Sequence, residues 1–129
     1  MVINMKSNIT GLAHIGIFTK DIGKSIDYYK RLGFTLDNEE QAGETKLAFL
    51  SAGTCLIELV GIGGERTAGV VDHIAVVVDD IEKAISDANA NGIEIDASQI
   101  ASMPILGGIR NVFFTGPDGE RLEFFEYSK

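Results

Sequence analysis

No stretch of this chain approaches the run of about 18 apolar residues that a membrane-spanning helix needs. Nor is there a cluster of Lys or Arg: 11 basic residues face 19 acidic ones, for a formal charge of −8. Without a positive footprint, nucleic acid and anionic membranes drop out as partners. The single Cys55 excludes an internal disulfide and reads as a reducing compartment. The opening "MVINMKSNIT" lacks the apolar core of a secretory signal. These absences together predict a cytoplasmic protein. What is there is ordinary for one folded domain spanning 1–129, with 45% apolar and 23% charged residues.

The chain repeats itself. "LAHIGIFTKDIGKSIDYYKRLGFTLD" aligns with "VDHIAVVVDDIEKAISDANANGIEID" at an offset of 59 residues, His14 falling on His73 and Asp21 on Asp80. Ile26 falls on Ile85 and Gly33 on Gly92 in the same register. Further on, "LAFLSAGTCLIELV" aligns with "VFFTGPDGERLEFF" at an offset of 65, placing Phe49 on Phe114 and Glu58 on Glu123. The second copy therefore carries six extra residues, assigned to "SMPILGGIR" (102–110), a candidate lid or simply a longer strand connection. Two copies are too few for a solenoid and predict paired modules, about 9–64 and 70–127. "GERT" (64–67) reads as the linker between them.

Each copy predicts the order βαβββ, and the pair an α+β fold. An apolar strand (12–18; 72–78) leads to Asp21 or Asp80, a helix N-cap whose carboxylate accepts from orphan N–H groups. Ile22, Ile26 and Tyr29 follow at helical spacing, as do Ile81, Ala84, Ile85 and Ala88. Gly33 and Gly92 suit a left-handed position after the last turn. "FTLDNE", "KLAFLSA" and "CLIELVG" then read as strands, as do "IEIDAS", "RNVFFT" and "RLEFFEY". "SAGT" and "GPDG" mark hairpin turns.

Both histidines of the chain occupy equivalent positions, a coincidence of about one in a hundred once the register is fixed by other residues. Glu58 and Glu123 are equivalent too, each inside an apolar strand, where a carboxylate is costly to bury unless paired or bound to metal. Converging, the four would offer two imidazole nitrogens and two carboxylate oxygens. That set suits divalent Ni, Co, Zn, Mn or Fe, and Cys55 adds no convincing soft ligand. On an octahedral ion it leaves two positions for substrate oxygens or water, so a bound carbonyl would be polarised.

The set "AHIGI…IELV…DHIAV…PDGERLEFFE" resembles the vicinal oxygen chelate superfamily (glyoxalase I, methylmalonyl-CoA epimerase, fosfomycin-resistance transferases, extradiol dioxygenases and bleomycin-resistance proteins) over about Ile9 to Tyr127. It is most similar to short bacterial glyoxalase I. The resemblance implies two pseudo-symmetric βαβββ modules forming a curved mixed sheet around one divalent metal, Ni or Co favoured over Zn or Mn. Its ligands fall on His14, Glu58, His73 and Glu123. It further implies a lactoylglutathione lyase-like lyase or isomerase that abstracts a proton beside a polarised carbonyl through an enediolate. The substrate would be a 2-oxoaldehyde–thiol adduct or a related small molecule. The base would be a ligand glutamate, Glu123 or Glu58, with Glu123 preferred. A homodimer is implied as well, its metal site within one chain or shared across two.

Three positions depart from the glyoxalase pattern for gripping glutathione. Phe18 stands where that pattern has a basic residue, "VGIGG" follows Glu58 where it has an Asn, and Leu106 precedes the glycine pair where it has a Lys. Arg110, Lys46 and Arg66 are the candidates for compensating charge. An acyl-CoA epimerase of the methylmalonyl-CoA type shares most of the ligand pattern, but usually has a longer connection between modules. A metal-free, drug-binding protein of the bleomycin-resistance type is the alternative from another class. Met103 and Leu106 are expected at the substrate pocket or in loop packing, and Tyr28 and Tyr29 in packing and surface roles.

Overall fold

Ile15 and Ile17 flank Gly16, Ile57 and Leu59 flank Glu58, and in the computed structural model the four apolar residues pack in one core cluster. The structure describes residues 4–5, 8–62, 69–116 and 121–129. These fall into two compact units: His14–His73, and the residues up to Ala13 together with Ile74–Lys129. Each holds one βαβββ set, as the repeat predicts. These units are bounded differently from the modules expected at 9–64 and 70–127, with contacts joining the residues up to His73 to the first strand. The Phe18 N–H donates to the Val70 carbonyl at 2.8 Å, and His73 meets His14.

In the unit His14–His73, strand β1 (Ile9–Thr19, entering the unit at His14) leads to helix α1 (Ile22–Arg31). Strands β2 (Thr35–Ala42), β3 (Thr45–Ala52) and β4 (Cys55–Gly61) follow, in the spatial order β2-β3-β4-β1. β1 runs parallel to β4 with Gly16 opposite Glu58, and β3 is antiparallel to β4 with Phe49 opposite Glu58. Asp21 caps α1, accepting from the Lys24 N–H at 3.1 Å. Ile22, Ile26 and Tyr29 close the helix onto Ala48, Leu50, Ile57 and Leu59, while Tyr28 stays exposed. Gly53 takes φ +60 in the two-residue hairpin loop within "SAGT", a conformation that favours glycine.

The other unit repeats the plan. Strand β5 (Val71–Val78, in this unit from Ile74) is followed by helix α2 (Ile81–Ala90), capped by Asp80 on the Lys83 N–H at 3.0 Å. Strands β6 (Ala101–Met103), β7 (Ile109–Thr115) and β8 (Arg121–Tyr127) complete it, in the order β5-β8-β7-β6. β5 is parallel to β8 with Ala75 opposite Glu123, reproducing Gly16 opposite Glu58. Ile81, Ala84, Ile85 and Ala88 are all buried against Val78, Val112 and Phe124.

Four expectations need correction or fall outside what is described. "IEIDAS" is not a strand: residues 93–96 are irregular and Ala97–Gln99 form a single 3-10 turn, with the strand displaced to β6. Side chains take over the backbone groups that a ladder would have used. The Asn89 amide donates to the Ile95 carbonyl and accepts from the Ile95 N–H, and Asp96 accepts from the Ser98 N–H. Second, Phe113 rather than Phe114 stands opposite Glu123, so Phe113 corresponds to Phe49. One of the extra residues therefore sits between β7 and β8 and not in 102–110. "GERT" lies outside the described residues, as does "GPDG" beyond Gly116. Within 102–110, Ile105 and Ile109 are buried and Leu106 takes φ +50.

Candidate metal centre

Strand alternation sends His14, Gly16 and Phe18 to one side of β1, away from the α1 core that holds Ile15 and Ile17. Glu58 points the same way from β4, opposite Gly16 in register. His73, at the end of the same unit, completes a tight triangle. The His14 and His73 Nε2 atoms are 3.0 Å apart, and Glu58 Oε1 lies 3.4 Å from the first and 3.1 Å from the second. All three residues are buried. Three of the four sequence-predicted ligands are thus brought together within one unit.

Two neighbours set the imidazoles. The His73 Nδ1 is 2.7 Å from Asp72 Oδ2. A proton on Nδ1, donated to that carboxylate, leaves the Nε2 lone pair facing the triangle. His14 meets the buried Phe49 ring edge-on, with centroids 5.5 Å apart. Burial pushes the Glu58 carboxyl up, but hydrogen bonds to His14 and His73 and their charge outweigh it and hold the group below its ordinary 4.5. Donor lone pairs crowded this closely repel unless a cation lies among them, either a proton or a metal ion. Bonds of about 2.0–2.2 Å set donors roughly 2.9–3.5 Å apart around an octahedral or tetrahedral ion, which the observed 3.0–3.4 Å matches. The residues fit the implied metal.

Glu123 belongs to the other unit and is 2% exposed. The Asn111 amide, itself buried, donates to its Oε2 at 2.7 Å. Module one has Leu47 at the corresponding place, so the two glutamates differ in their surroundings. Burial pushes the Tyr127 phenol up, and the charge of Glu123 pushes it further. Asn111 was missed from sequence because its partner lies 12 residues away on another strand. Asp72 had a signal, since an acid next to a ligand histidine is a usual orienting partner.

The candidate compensating charges do not face the same way. Arg110 turns to the α2 side, donating to Glu126 at 2.8 Å and bidentately to Glu82. A second acidic group, Asp80, Glu82 and Glu126, is thereby already neutralised in part. Lys46 lines a groove beside α1 with Ile22, Ile26 and Glu39, and Arg66 lies outside the described residues. Arg121, not singled out from sequence, shares the Glu123 side of β8, its guanidinium 3.9 Å from the centre of the Phe113 ring.

Among the described residues no helix is long and apolar enough to cross a membrane. Comparison with known proteins shows the family. The uncharacterized protein YwbC of Bacillus subtilis (strain 168) is 36% identical over 121 residues, covering 88% of this chain and 94% of its own. The uncharacterized protein YwkD of the same organism is 32% identical over 128 residues, covering 92% and 98%. The crystal structure of methylmalonyl-CoA epimerase from Mycobacterium tuberculosis matches with a TM-score of 0.79 at 20% identity, covering 98% of this chain and 94% of its own, a likeness of fold. The model of the Glyoxalase/Bleomycin resistance protein/Dioxygenase superfamily matches residues 11–124, and the chain belongs to that superfamily.

Proposed function

We propose that this protein is a divalent-metal-dependent lyase or isomerase of the glyoxalase I type, moving a proton at a carbon next to a substrate carbonyl. The observation that carries this is the convergence of His14, Glu58 and His73 on one point with donor separations of 3.0–3.4 Å. A sequestering pocket has no need of such a set. Glu123 is the proposed fourth ligand, on its equivalence to Glu58 in strand register and on its burial. The metal is Ni or Co before Zn or Mn.

A bound divalent ion would polarise the substrate carbonyl and make the neighbouring C–H acidic. His14 and His73 hold their nitrogens by ring packing and by Asp72 respectively, which fixes where that charge acts. Glu123 is the proposed base. Its Oε2 is engaged by Asn111, so one oxygen is held while the carboxylate moves a proton. General acid–base assistance of this kind contributes about 10²–10⁴ in rate. Arg121 is the proposed grip for an anionic thiol or acyl carrier, on its place on the Glu123 side of β8 with its guanidinium over the Phe113 ring. The proposed assembly is a homodimer.

The test is turnover of metal-stripped protein reloaded with Ni, Co, Zn or Mn, using hemithioacetals of methylglyoxal with anionic and neutral thiols. Acyl-CoA epimers belong in the same assay, because an epimerase performs the same proton transfer. We expect metal-dependent turnover, a kcat lowered at least 100-fold by Glu123→Gln, and a KM raised by Arg121→Ala for anionic carriers only. Metal-loaded protein that turns over none of these, yet binds a drug-like ligand equally well when stripped, would overturn the reading.

A further inference from the structure

Gly16 sits in mid-strand, where glycine is usually a cost. Its backbone gives no reason for it, because it is paired in register with Glu58 and is not among the positive-φ glycines. The strand pleat accepts a methyl at the equivalent place, Ala75, which is fully buried. The reason lies in the space above its Cα. A Cβ built there would stand 2.2 Å from Cε1, 2.4 Å from Nδ1 and 2.8 Å from Nε2 of His73. The polar edge of the imidazole occupies the volume that any side chain would take.

We propose that Gly16 is a positioning residue that reserves the seat of the His73 ring, and that metal affinity depends on the missing methyl. This rests on the metal-site reading above. Ordinary carbon contacts begin near 3.4 Å, so an alanine forces the ring edge back by roughly 1 Å. A metal–nitrogen bond tolerates about 0.2 Å. The ring has little freedom to yield, with Nδ1 held 2.7 Å from Asp72 and the His14 ring packed edge-on at 5.1 Å. A shift of that size removes Nε2 from the triangle or breaks the Asp72 contact.

The experiment compares wild type, Gly16→Ala, Gly11→Ala, His73→Ala and the double variant Gly16→Ala/His73→Ala. Gly11 lies on the same strand with nothing within 4 Å of its added Cβ, and serves as the control. Two readouts are taken: Co2+ and Ni2+ affinity, and the His73 imidazole resonances of the metal-stripped proteins. Gly16→Ala is expected to lower affinity at least 100-fold and to move the His73 resonances, while Gly11→Ala changes neither. The double variant is expected to melt with His73→Ala, since the clash has been removed; this decides the matter even if Gly16→Ala alone fails to fold. Wild type taking up no ion would sink the metal reading, and the resonances and melting would then decide Gly16 alone. Unmoved His73 resonances in a folded Gly16→Ala protein, or equal cost of Gly16→Ala with and without His73, would overturn the proposal.

Discussion

Replacing Asn111 by Leu, the residue that module one uses at the corresponding position, isolates one buried polar contact. The amide donates to Glu123 Oε2 at 2.7 Å, with the two residues 6% and 2% exposed. Hydrogen bonds to charged groups contribute about 1.5–3 kcal/mol, and the burial of both residues places this one toward the upper end. Leucine fills a similar volume, so a cavity adds little. Unfolding entropy of about 2.1 cal/mol/K per residue gives roughly 0.27 kcal/mol/K for 129 residues. A loss of about 2–3 kcal/mol thus lowers Tm by about 7–11 °C. Calorimetry at neutral pH in excess chelator is the assay, so that metal binding does not enter. The double variant Asn111→Leu/Glu123→Leu should recover at least half of the loss, because replacing both partners by apolar groups leaves no buried carboxylate short of this donor. A single variant within about 0.5 kcal/mol of wild type, or a double variant no better than the single, would refute the reasoning.

Asp72→Ala should weaken divalent-metal affinity by about 10–100-fold, because His73 loses the partner that fixes its Nδ1 proton; equal titration curves for variant and wild type would contradict it. Arg110→Met should lower thermal stability at neutral pH. The hydrogen bond from Arg110 holds the Glu82 carboxyl below its ordinary 4.5. A depressed folded pKa means that the stabilisation is complete above the unfolded value and is lost as pH falls through the folded one. The gap in Tm between Arg110→Met and wild type should therefore close on acidification below about 4.5, and a gap constant down to pH 3 would contradict it.

The periodic and symmetric features were legible in sequence. Asp21 and Asp80 announce the two helix starts, and the buried stripe of α2 follows from spacing alone. Matching His14 with His73 and Glu58 with Glu123 needed only the repeat, and Gly16 opposite Glu58 recurs as Ala75 opposite Glu123. The rest depends on contacts that no local pattern encodes. "IEIDAS" alternates like a strand, but Asn89, six residues upstream of Ile95, claims its backbone groups. Asn111 gains its meaning from Glu123, and Gly16 from a ring 57 residues away in sequence (16 to 73). The register between β7 and β8 was off by one because sequence alignment put the whole insertion in 102–110.

The central claim is that His14, Glu58 and His73 hold a divalent ion, and calorimetric titration of the stripped protein with Ni2+ and Co2+ tests it most directly. The account predicts one saturable ion per chain, with His14→Ala, Glu58→Gln and His73→Ala each weakening binding at least 100-fold while the stripped variants stay folded. No saturable binding by wild type, or undiminished binding in all three variants, would contradict it.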